Sequence, residues 1–277
     1  MIVDQHTGLY GVIGNPIGHS LSPVMHNAAF SQKGINAVFM AFETRDPDTC
    51  IKGMKGLGIK GMAVTIPYKT DVIPLLDEVD DLAGRIGAIN TIVNRGGRLV
   101  GYNTDGIGAL KALEERTELS GKSCIMIGAG GAARAIGYVL REKGIELTVA
   151  NRSIERARSL CRDLGCRFIN PEELLREKAD ILINTTPVGM APGYGSCLVP
   201  EQALRDGMVV MDIIYNPLET RLLAMARSRG CITINGLAMF VYQGAEQFRL
   251  WTGLEPPIDV MKEAVKEALS IESKKQV

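Results

Sequence analysis

The sequence has no excess of charge of either sign and no long apolar run. Its 31 Lys and Arg residues balance 31 Asp and Glu residues, so the formal charge is zero. Nucleic acids and anionic membranes are bound through a basic excess on one face, and the balance argues against both partners. No apolar run approaches the roughly 18 residues of a membrane span, and the first residues lack the basic flank and apolar stretch of a signal peptide. We therefore expect a cytoplasmic protein that binds neither nucleic acid nor a membrane.

Metal-binding and disulfide patterns are also missing. The six cysteines are scattered without a C-x-x-C pair, and the three histidines do not have the spacing of a zinc site. This scatter favours reduced thiols, several of them in core strands. We expect neither a bound metal nor a disulfide framework.

Aromatic residues make up only 5% of the chain, whereas glycine is plentiful at 31 residues. Many glycines with few aromatics suit an α/β protein with tight turns between strands and helices. Short apolar runs alternate with longer amphipathic segments, as in a parallel sheet. The alternation starts again near residue 122, and 277 residues are enough for two domains. We place one domain at residues 1–106 and a second at 107–237, followed by closing helices at 238–277.

Each domain has its own set of predicted strands and helices. The strands predicted in the first domain are Leu9–Ile13, Ala37–Phe42, Gly61–Thr65, Ala88–Val93 and Val100–Tyr102. Its first helix begins at Ser22, which can cap the helix while Pro23 takes the first helical position. The other predicted helices of the chain are Asp48–Leu57, Asp71–Val79, Gly106–Glu118, Gly131–Lys143, Ile154–Leu164 and Pro257–Ile271. The strands predicted in the second domain are Ser123–Ile127, Glu146–Ala150, Asp180–Asn184, Met208–Ile213 and Cys231–Ile234.

The first strand of the second domain is followed by a glycine-rich turn, Gly128-Ala129-Gly130-Gly131-Ala132-Ala133. In this G-x-G-x-x-A pattern, Gly128 permits the tight turn, Gly130 lets the backbone approach a pyrophosphate, and Ala133 keeps the helix close to the strand. The free N–H groups of the following helix then face the phosphates. A plain tight turn is the alternative interpretation. However, strand, turn, helix and second strand occur in the order of a dinucleotide-binding unit.

The end of the second strand indicates which dinucleotide would bind. An NAD site usually has Asp or Glu there for the ribose 2′-hydroxyl, whereas this chain has Asn151-Arg152-Ser153, with Arg156 one helical turn later. Two guanidinium groups with amide and hydroxyl donors suit a 2′-phosphate. A solvated basic helix start is the alternative, but positive charge at a helix N-terminus opposes the helix dipole. We therefore expect NADP rather than NAD.

Two motifs of the first domain combine a backbone feature with a polar side chain. The segment Gly14–Pro23 has Ser20 and Ser22 at a helix start, which is a small anion site suited to a carboxylate. Helix capping by Ser22 is the alternative there. The segment Val64–Lys69 places a lysine just past the carboxyl end of a strand, where open α/β sheets bind ligands. Taken alone, Lys69 would more often be a solvent-facing lysine.

Two further motifs end in an amide and a carboxylate. Asn90 enters a strand, and Asp105 precedes a helix, where it could be no more than a cap. A lysine and an aspartate near a hydride acceptor make an acid/base pair, while amides and hydroxyls hold a polyhydroxylated substrate. His19 is a rival acid/base candidate. His26 falls inside the first helix, where packing is the expected role.

These motifs, in this order, resemble those of the shikimate dehydrogenase family. The resemblance runs from Gly14-Asn15-Pro16-Ile17-Gly18-His19-Ser20-Leu21-Ser22-Pro23 to Asn235-Gly236-Leu237-Ala238-Met239 and Gln243. It implies an N-terminal α/β substrate domain with a parallel-rich sheet, a Rossmann NADP domain, and closing helices that return to the first domain. It also implies the reversible, NADPH-dependent reduction of 3-dehydroshikimate to shikimate, on the route to chorismate and aromatic amino acids.

The resemblance also implies roles for individual residues. Lys69 would be the acid/base residue, with Asp105 as its partner. Ser20 and Ser22 would bind the substrate carboxylate, with Tyr215 nearby. The residues implied for the hydroxyls and the reacting carbonyl are Thr65, Lys69, Asn90, Asp105 and Gln243. The residues implied for the cofactor are Asp81, Gly128, Ala129, Gly130, Gly131, Ala132, Asn151, Arg152, Ser153, Arg156, Thr185, Ile213 and Gly236.

Three positions depart from the family's pattern without removing a functional group. They are Ala63 for a frequent Asn, Ser153 for the more usual Thr, and Ala238 for a frequent Gly. One alternative is a quinate/shikimate dehydrogenase of broader specificity, against which the two arginines and Ser20 argue. The other is a non-catalytic NADP-binding sensor, which would keep the glycine turn without needing Lys69. The family includes monomers and dimers, so we expect a monomer or a homodimer that acts on a small molecule.

Overall fold

The computed structural model describes residues 3–191 and 193–275. The chain divides into two compact units, one made of Met1–Thr104 with Gln243–Val277 and the other of Asp105–Tyr242. The divisions fall after residues 104 and 242, where the expected positions were after 106 and 237.

The first unit is built around a mixed sheet. Its strands are β1 (Gly8–Gly14), β2 (Ala37–Glu43), β3 (Gly61–Val64), β4 (Glu78–Val79), β5 (Thr91–Arg95) and β6 (Arg98–Tyr102). Its helices are α1 (Ser22–Gln32), α2 (Pro47–Gly56), α3 (Asp81–Ile86), the part of α8 (Gly236–Thr252) from residue 243, and α9 (Ile258–Lys275). The strand order is β2-β1-β3-β5-β6-β4. β1 pairs in parallel with β2 and β3, whereas β5 is antiparallel to β3 and β6, so the parallel-rich sheet is confirmed.

The central position of β1 explains its composition. It has a partner strand on each side, and its residues from Tyr10 to Gly14 are buried. A strand covered in this way is apolar along its whole length rather than alternating. A Cβ atom on Gly14 would lie 2.6 Å from the methyl group of Thr65, so the ends of β1 and β3 approach closely. This edge of the sheet carries the first two motifs.

The helix predicted over Asp71–Val79 is wrong. The segment holds a 3-10 turn at Ile73–Leu75 and the short strand β4. The Asp77 N–H donates to the Leu99 carbonyl at 3.1 Å, and the Asp77 carboxylate accepts from the Leu99 N–H at 2.7 Å. Bonds to the β5–β6 hairpin thus replace helical bonds, because tertiary pairing outweighs a local periodicity.

The second unit has a wholly parallel sheet. Its strands are β7 (Ser123–Ile127), β8 (Glu146–Ala150), β9 (Arg167–Ile169), β10 (Ile181–Asn184), β11 (Val209–Asp212) and β12 (Ile232–Ile234). Its helices are α4 (Asp105–Glu114), α5 (Gly131–Glu142), α6 (Ile154–Leu164), α7 (Arg221–Ser228) and the start of α8. Neither β9 nor α7 was predicted. β9 has three residues and α7 has eight, which is short for a periodicity to be recognised.

The strand order of this sheet is β12-β11-β10-β7-β8-β9. Counted from β7 as the first strand, this is 3-2-1-4-5-6, the order of the Rossmann fold. The order reverses between β7 and β10. In such sheets ligands bind outside the carboxyl ends of the strands at that reversal, which is where the glycine-rich turn lies.

Candidate functional site

The segment between β1 and α1 places Ser20 and Ser22 together in the first unit. The Ser22 N–H donates to Ser20 Oγ at 3.3 Å, and the Ser20 N–H donates to the Ile17 carbonyl at 3.0 Å. Ser22 is buried and Ser20 is half-buried. Ser22 is the first residue of α1, and the capping position belongs to Leu21, whose side chain makes no capping bond. The expected capping by Ser22 is therefore wrong, because the helix begins one residue too early for it.

Lys69 follows β3 in a turn that two strands hold in place. The Thr65 N–H donates to the Ile13 carbonyl at 3.0 Å, which joins the start of the turn to β1. The Lys69 carbonyl accepts the Ile89 N–H at 2.6 Å, which joins the turn to the segment before β5. Its side chain is half-buried, unlike that of a fully solvated lysine.

Asn90 is at the centre of a buried polar cluster in the first unit. It is 2% exposed, and its Nδ2 donates to Thr104 Oγ1 at 2.9 Å and to Gln243 Oε1 at 3.4 Å. Its Oδ1 accepts the Thr104 N–H at 2.8 Å. Gln243 comes from α8 and is 9% exposed. The fold thus brings together two predicted substrate residues that lie 153 positions apart in the chain.

Asp105 begins α4 and belongs to the second unit. It is only 4% exposed. The start of the helix is packed tightly, because a Cβ atom on Gly106 would lie 2.7 Å from the Ala135 carbonyl of α5. A carboxylate in the first turn of a helix is also favoured by the helix dipole.

The glycine-rich turn has the geometry that a dinucleotide needs. Gly128 has a φ of 116°, and a Cβ atom there would overlap the hydroxyl of Thr185, which itself donates to the Ile127 carbonyl at 2.7 Å. Gly130 has an ordinary φ of −91°, and a Cβ atom there would meet nothing within 4 Å. The first turn of α5 holds no acidic residue, and its N-cap residue, Gly130, makes no side-chain capping bond. The space beside Gly130 at the start of this helix is open, which is room for a pyrophosphate.

The segment after β8 presents two arginines at the start of α6. Asn151 Nδ2 donates to the Ser153 carbonyl at 2.8 Å, and the Ser153 hydroxyl donates to the Glu155 carboxylate at 3.3 Å. Arg152 and Arg156 are exposed, and neither has an ion pair or a side-chain hydrogen bond with any residue of the described chain. Their charges are therefore not neutralised by any residue in the described part of the chain, which suits a phosphate.

The sequence analysis gave no role to Asp212, which lies within the predicted strand Met208–Ile213. The residue is fully buried, its Oδ1 accepts from Asn184 Nδ2 at 3.0 Å and from the Ile214 N–H at 3.2 Å, and its Oδ2 accepts the Thr220 hydroxyl at 2.7 Å. Burial raises the pKa of Asp212 from 3.8 to about 6, although these hydrogen bonds act in the opposite direction. The network anchors the loop after β11, which carries Tyr215. The signal in the sequence was a single carboxylate at the end of an apolar run.

The remaining predicted residues lie in two groups. Ile213 and Gly236 are neighbours, since a Cβ atom on Gly236 would overlap the Ile213 carbonyl. Tyr215 stacks on Phe240, with ring centroids 4.3 Å apart and planes at 26°. These residues belong to the second unit, together with the glycine turn. Asp81 is exposed in the first turn of α3 and belongs to the first unit.

The histidines and cysteines add no second site within the described residues. His26 is fully buried and stacks on Phe39, and His19 is exposed. All six cysteines are free thiols. Within residues 3–191 and 193–275, no three side chains of His, Cys, Asp or Glu gather as metal ligands. Over the same ranges, none of the helices combines the length and the apolar character that crossing a membrane requires.

Family models match three stretches of the chain. Residues 12–92 match the shikimate dehydrogenase substrate binding domain. Residues 110–190 match the model described as shikimate / quinate 5-dehydrogenase, and residues 236–266 match the shikimate 5′-dehydrogenase C-terminal domain.

Individual relatives are similar over almost the whole chain. The shikimate dehydrogenase (NADP(+)) of Pyrococcus furiosus is 50% identical over 264 residues, which cover 94% of this chain and 96% of that protein. A crystal structure of a shikimate dehydrogenase in complex with NADP+ has 44% identity and a TM-score of 0.93, covering 97% of this chain and 98% of the other. The Thermus thermophilus enzyme, in complex with NADP(H) and shikimate, has 36% identity and a TM-score of 0.88, covering 95% and 100%.

Proposed function

The chain belongs to the shikimate dehydrogenase family, and we propose that it catalyses the reversible NADPH-dependent reduction of 3-dehydroshikimate to shikimate. The observation that carries this proposal is the 50% identity, over nearly the full length, to a relative named shikimate dehydrogenase (NADP(+)). The polar side chains described above supply the groups that such a reaction needs. They include a half-buried lysine, a buried carboxylate and a buried pair of amides.

The second unit is the proposed cofactor domain. The N–H groups at the start of α5, beside Gly130, would bind the pyrophosphate, since the space next to this glycine is open. Arg152 and Arg156 would bind the 2′-phosphate, with Asn151 and Ser153 beside them. Thr185, Ile213 and Gly236 would contact the ribose and nicotinamide. When bound, NADPH supplies the hydride that reduces the keto carbon.

The first unit is the proposed substrate domain. Ser20 and Ser22 would hold the substrate carboxylate through their hydroxyl groups. Asn90 and Gln243 would hold ring hydroxyls from the buried amide cluster, and Thr65 would add a hydroxyl beside them. Several directional bonds to one ring fix its orientation, so that one carbon is presented for reduction.

Lys69 is the proposed acid/base residue. As the keto carbon is reduced, its oxygen gains negative charge and takes a proton from the ammonium group at Lys69 Nζ. In the reverse direction the neutral amine at Nζ accepts the proton of the substrate hydroxyl. We assign Asp105 as the partner carboxylate, which accepts a hydrogen bond from a neighbouring substrate hydroxyl.

A broader quinate/shikimate dehydrogenase is the second candidate. It is favoured by the family model over residues 110–190, whose description includes quinate. The unpaired arginines after β8 favour NADP for this chain, because NAD has no 2′-phosphate to neutralise them. A non-catalytic NADP-binding sensor would require neither Lys69 nor Asp105.

One assay separates these possibilities. Purified protein is incubated with shikimate or quinate, each with NADP+ or NAD+, and cofactor reduction is followed by absorbance. Turnover with shikimate and NADP+ alone supports the proposal. Comparable turnover with quinate or NAD+ moves the protein to the broader enzyme. Tight NADP+ binding without turnover favours the sensor and contradicts the roles given to Lys69 and Asp105.

A further inference from the structure

The amide of Asn90 has an orientation that its backbone neighbour determines. The Thr104 N–H can only donate, and it lies 2.8 Å from one side-chain atom of Asn90, which must therefore be the oxygen. The same oxygen lies 2.8 Å from Thr91 Oγ1. Two oxygens at this distance require a proton between them, so the Thr91 hydroxyl donates to Asn90. The Nδ2 of Asn90 then faces Thr104 Oγ1 and Gln243 Oε1.

Gln247, one turn after Gln243 on α8, extends this arrangement. Its side chain lies 3.1 Å from the Asn90 carbonyl, which can only accept, so the contacting atom must be Nε2. The same Nε2 donates to Thr91 Oγ1 at 3.0 Å. Its Oε1 then lies 3.3 Å from His26 Nε2, so the imidazole carries its proton on Nε2 and donates to Gln247. Two backbone groups, the Asn90 carbonyl and the Thr104 N–H, thus determine the donor and the acceptor of every hydrogen bond from His26 to Asn90.

His26 is unusual as a packing residue. Its ring stacks on Phe39 at 4.6 Å and 19° and lies 5.1 Å from the ring of Trp251. Its Nδ1 is, within the described residues, the buried side-chain polar atom that has no hydrogen-bond partner. This unpaired nitrogen costs stability. A phenylalanine would stack in the same place without that cost. What the histidine adds is the Nε2–H bond to Gln247, and burial keeps the ring neutral by lowering its pKa to about 3.

We propose that His26, Gln247 and Thr91 are positioning residues, which form a one-way hydrogen-bond chain that holds the Asn90 amide with its NH2 group as the donor offered to substrate. This inference rests on the proposed function, in which Asn90 binds a substrate hydroxyl, and it adds the direction of that bond. Asn90 donates, and the substrate oxygen accepts in place of Gln243 Oε1, whose 3.4 Å bond to Asn90 Nδ2 is longer than the 2.9 Å bond to Thr104 Oγ1. All the members of the chain belong to the first unit, and the proposal needs no movement of either unit.

The first test uses two variants on α8. Gln247→Met keeps the length of the side chain but removes both donors and the acceptor. Thr252→Val is the matched control, since Thr252 Oγ1 donates to the Phe248 carbonyl at 2.7 Å and accepts the Leu254 N–H at 3.1 Å, and neither bond involves the chain from His26 to Asn90. We expect the KM for shikimate to rise about fivefold in Gln247→Met, the effect of about one lost hydrogen bond, with kcat and the KM for NADP+ little changed. Thr252→Val should change only the melting temperature. Equal KM values for shikimate in the two variants, at a temperature where both are folded, overturn the proposal.

A second variant guards against a trivial loss of folding. Gln247→Glu has a donor to Asn90 and Thr91 only when its carboxyl is protonated. The ionised form instead accepts the Thr91 hydroxyl and takes it from Asn90. The KM for shikimate should therefore approach the wild-type value at low pH and increase as the pH rises, relative to wild type. A pH-independent ratio of the two KM values contradicts the chain, because a purely structural role would not titrate.

A third readout does not depend on turnover. Hydrogen exchange of the Asn90 side-chain NH2 protons, followed by NMR, should be faster in Gln247→Met than in Thr252→Val. If the wild-type protein fails to oxidise shikimate, the proposed function is wrong, and this exchange still decides whether the chain orients Asn90. Equal exchange in both variants means that the Thr104 N–H alone holds the amide and that the chain does not.

Discussion

The hydroxyl of Thr185 occupies the space that a Cβ atom on Gly128 would need. Gly128 directly follows β7 and Thr185 directly follows β10, so the contact joins the ends of the two strands between which the order of the sheet reverses. The φ of 116° at Gly128 is also one that residues with a side chain rarely adopt. Gly130, two positions later, has neither constraint. The fold therefore requires a glycine at position 128 but not at position 130, and variants at the two positions test this difference.

Gly128→Ala should destabilise the fold itself. The new methyl group meets both a disfavoured φ and the Thr185 hydroxyl, so we expect the melting temperature to fall by about 5 °C or more. Calorimetry or circular dichroism on the protein without cofactor measures this. An unchanged melting temperature would show that the turn can relax around the extra methyl group.

Gly130→Ala should instead leave the fold intact and weaken cofactor binding. Its methyl group would enter open space in the protein alone, but that space is the one proposed for the pyrophosphate. We expect an unchanged melting temperature and a KM for NADP+ that is about tenfold higher, on the order of one lost charged hydrogen bond. A KM equal to that of wild type would place the phosphates elsewhere.

Lys69→Ala should reduce the rate far more than the affinity. Loss of a positioned proton donor typically lowers kcat by about a hundredfold or more, while the hydroxyls and amides that hold the substrate remain. Steady-state kinetics with shikimate and NADP+ measure both quantities. Lys60→Ala is the control, since Lys60 is exposed at the opposite end of β3. A turnover number for Lys69→Ala near that of the control would refute the acid/base assignment.

Arg152→Ala should weaken NADP+ selectively. Only NADP+ has the 2′-phosphate, so we expect the Kd for NADP+, measured by calorimetric titration, to rise about tenfold, as for a lost charged hydrogen bond, while the Kd for NAD+ changes little. Arg158→Ala is the control, since Arg158 is an exposed arginine of the following helix, α6. An equal loss for both cofactors in Arg152→Ala counts against a contact with the 2′-phosphate.

Asp212→Asn should change how stability depends on pH. Because burial raises the folded pKa from 3.8 to about 6, the folded wild-type protein binds a proton more tightly than the unfolded chain. The protonated carboxyl therefore contributes stability at low pH, which is lost as the pH rises through about 6. An asparagine cannot ionise, so the melting temperature of wild type relative to Asp212→Asn should be higher at about pH 5 than at about pH 8. A difference that is the same at both pH values would show that Asp212 does not titrate in this range.

The elements that the sequence predicted well are those that local chemistry specifies. Helix α6 and strands β7 and β8 were predicted with their observed bounds, because each is an apolar or amphipathic run between turn residues. The glycine turn was predicted from spacing alone, since its geometry is determined within six residues. The helix predicted over Asp71–Val79 failed for the opposite reason. Its hydrogen bonds go to Leu99, more than twenty residues away.

The side chains of the candidate site show the same division. A family resemblance and local motifs were enough to name Lys69, Asn90 and Gln243. They did not identify Gln247, whose bond to the Asn90 carbonyl joins positions 157 residues apart. Nor did they assign Asp212, whose partners lie on two other segments.

The sequence by itself determined most of the segments that become strands and helices, where the glycine turn lies, and which chemical groups are present. Hydrophobic periodicity, turn residues and short motifs act over a few residues, and they can be recognised without a fold. Only the tertiary structure decided which groups meet, such as Gln247 with Asn90, and which way each hydrogen bond points. A donor has direction only when its acceptor is in place, and here the acceptor comes from a distant part of the chain.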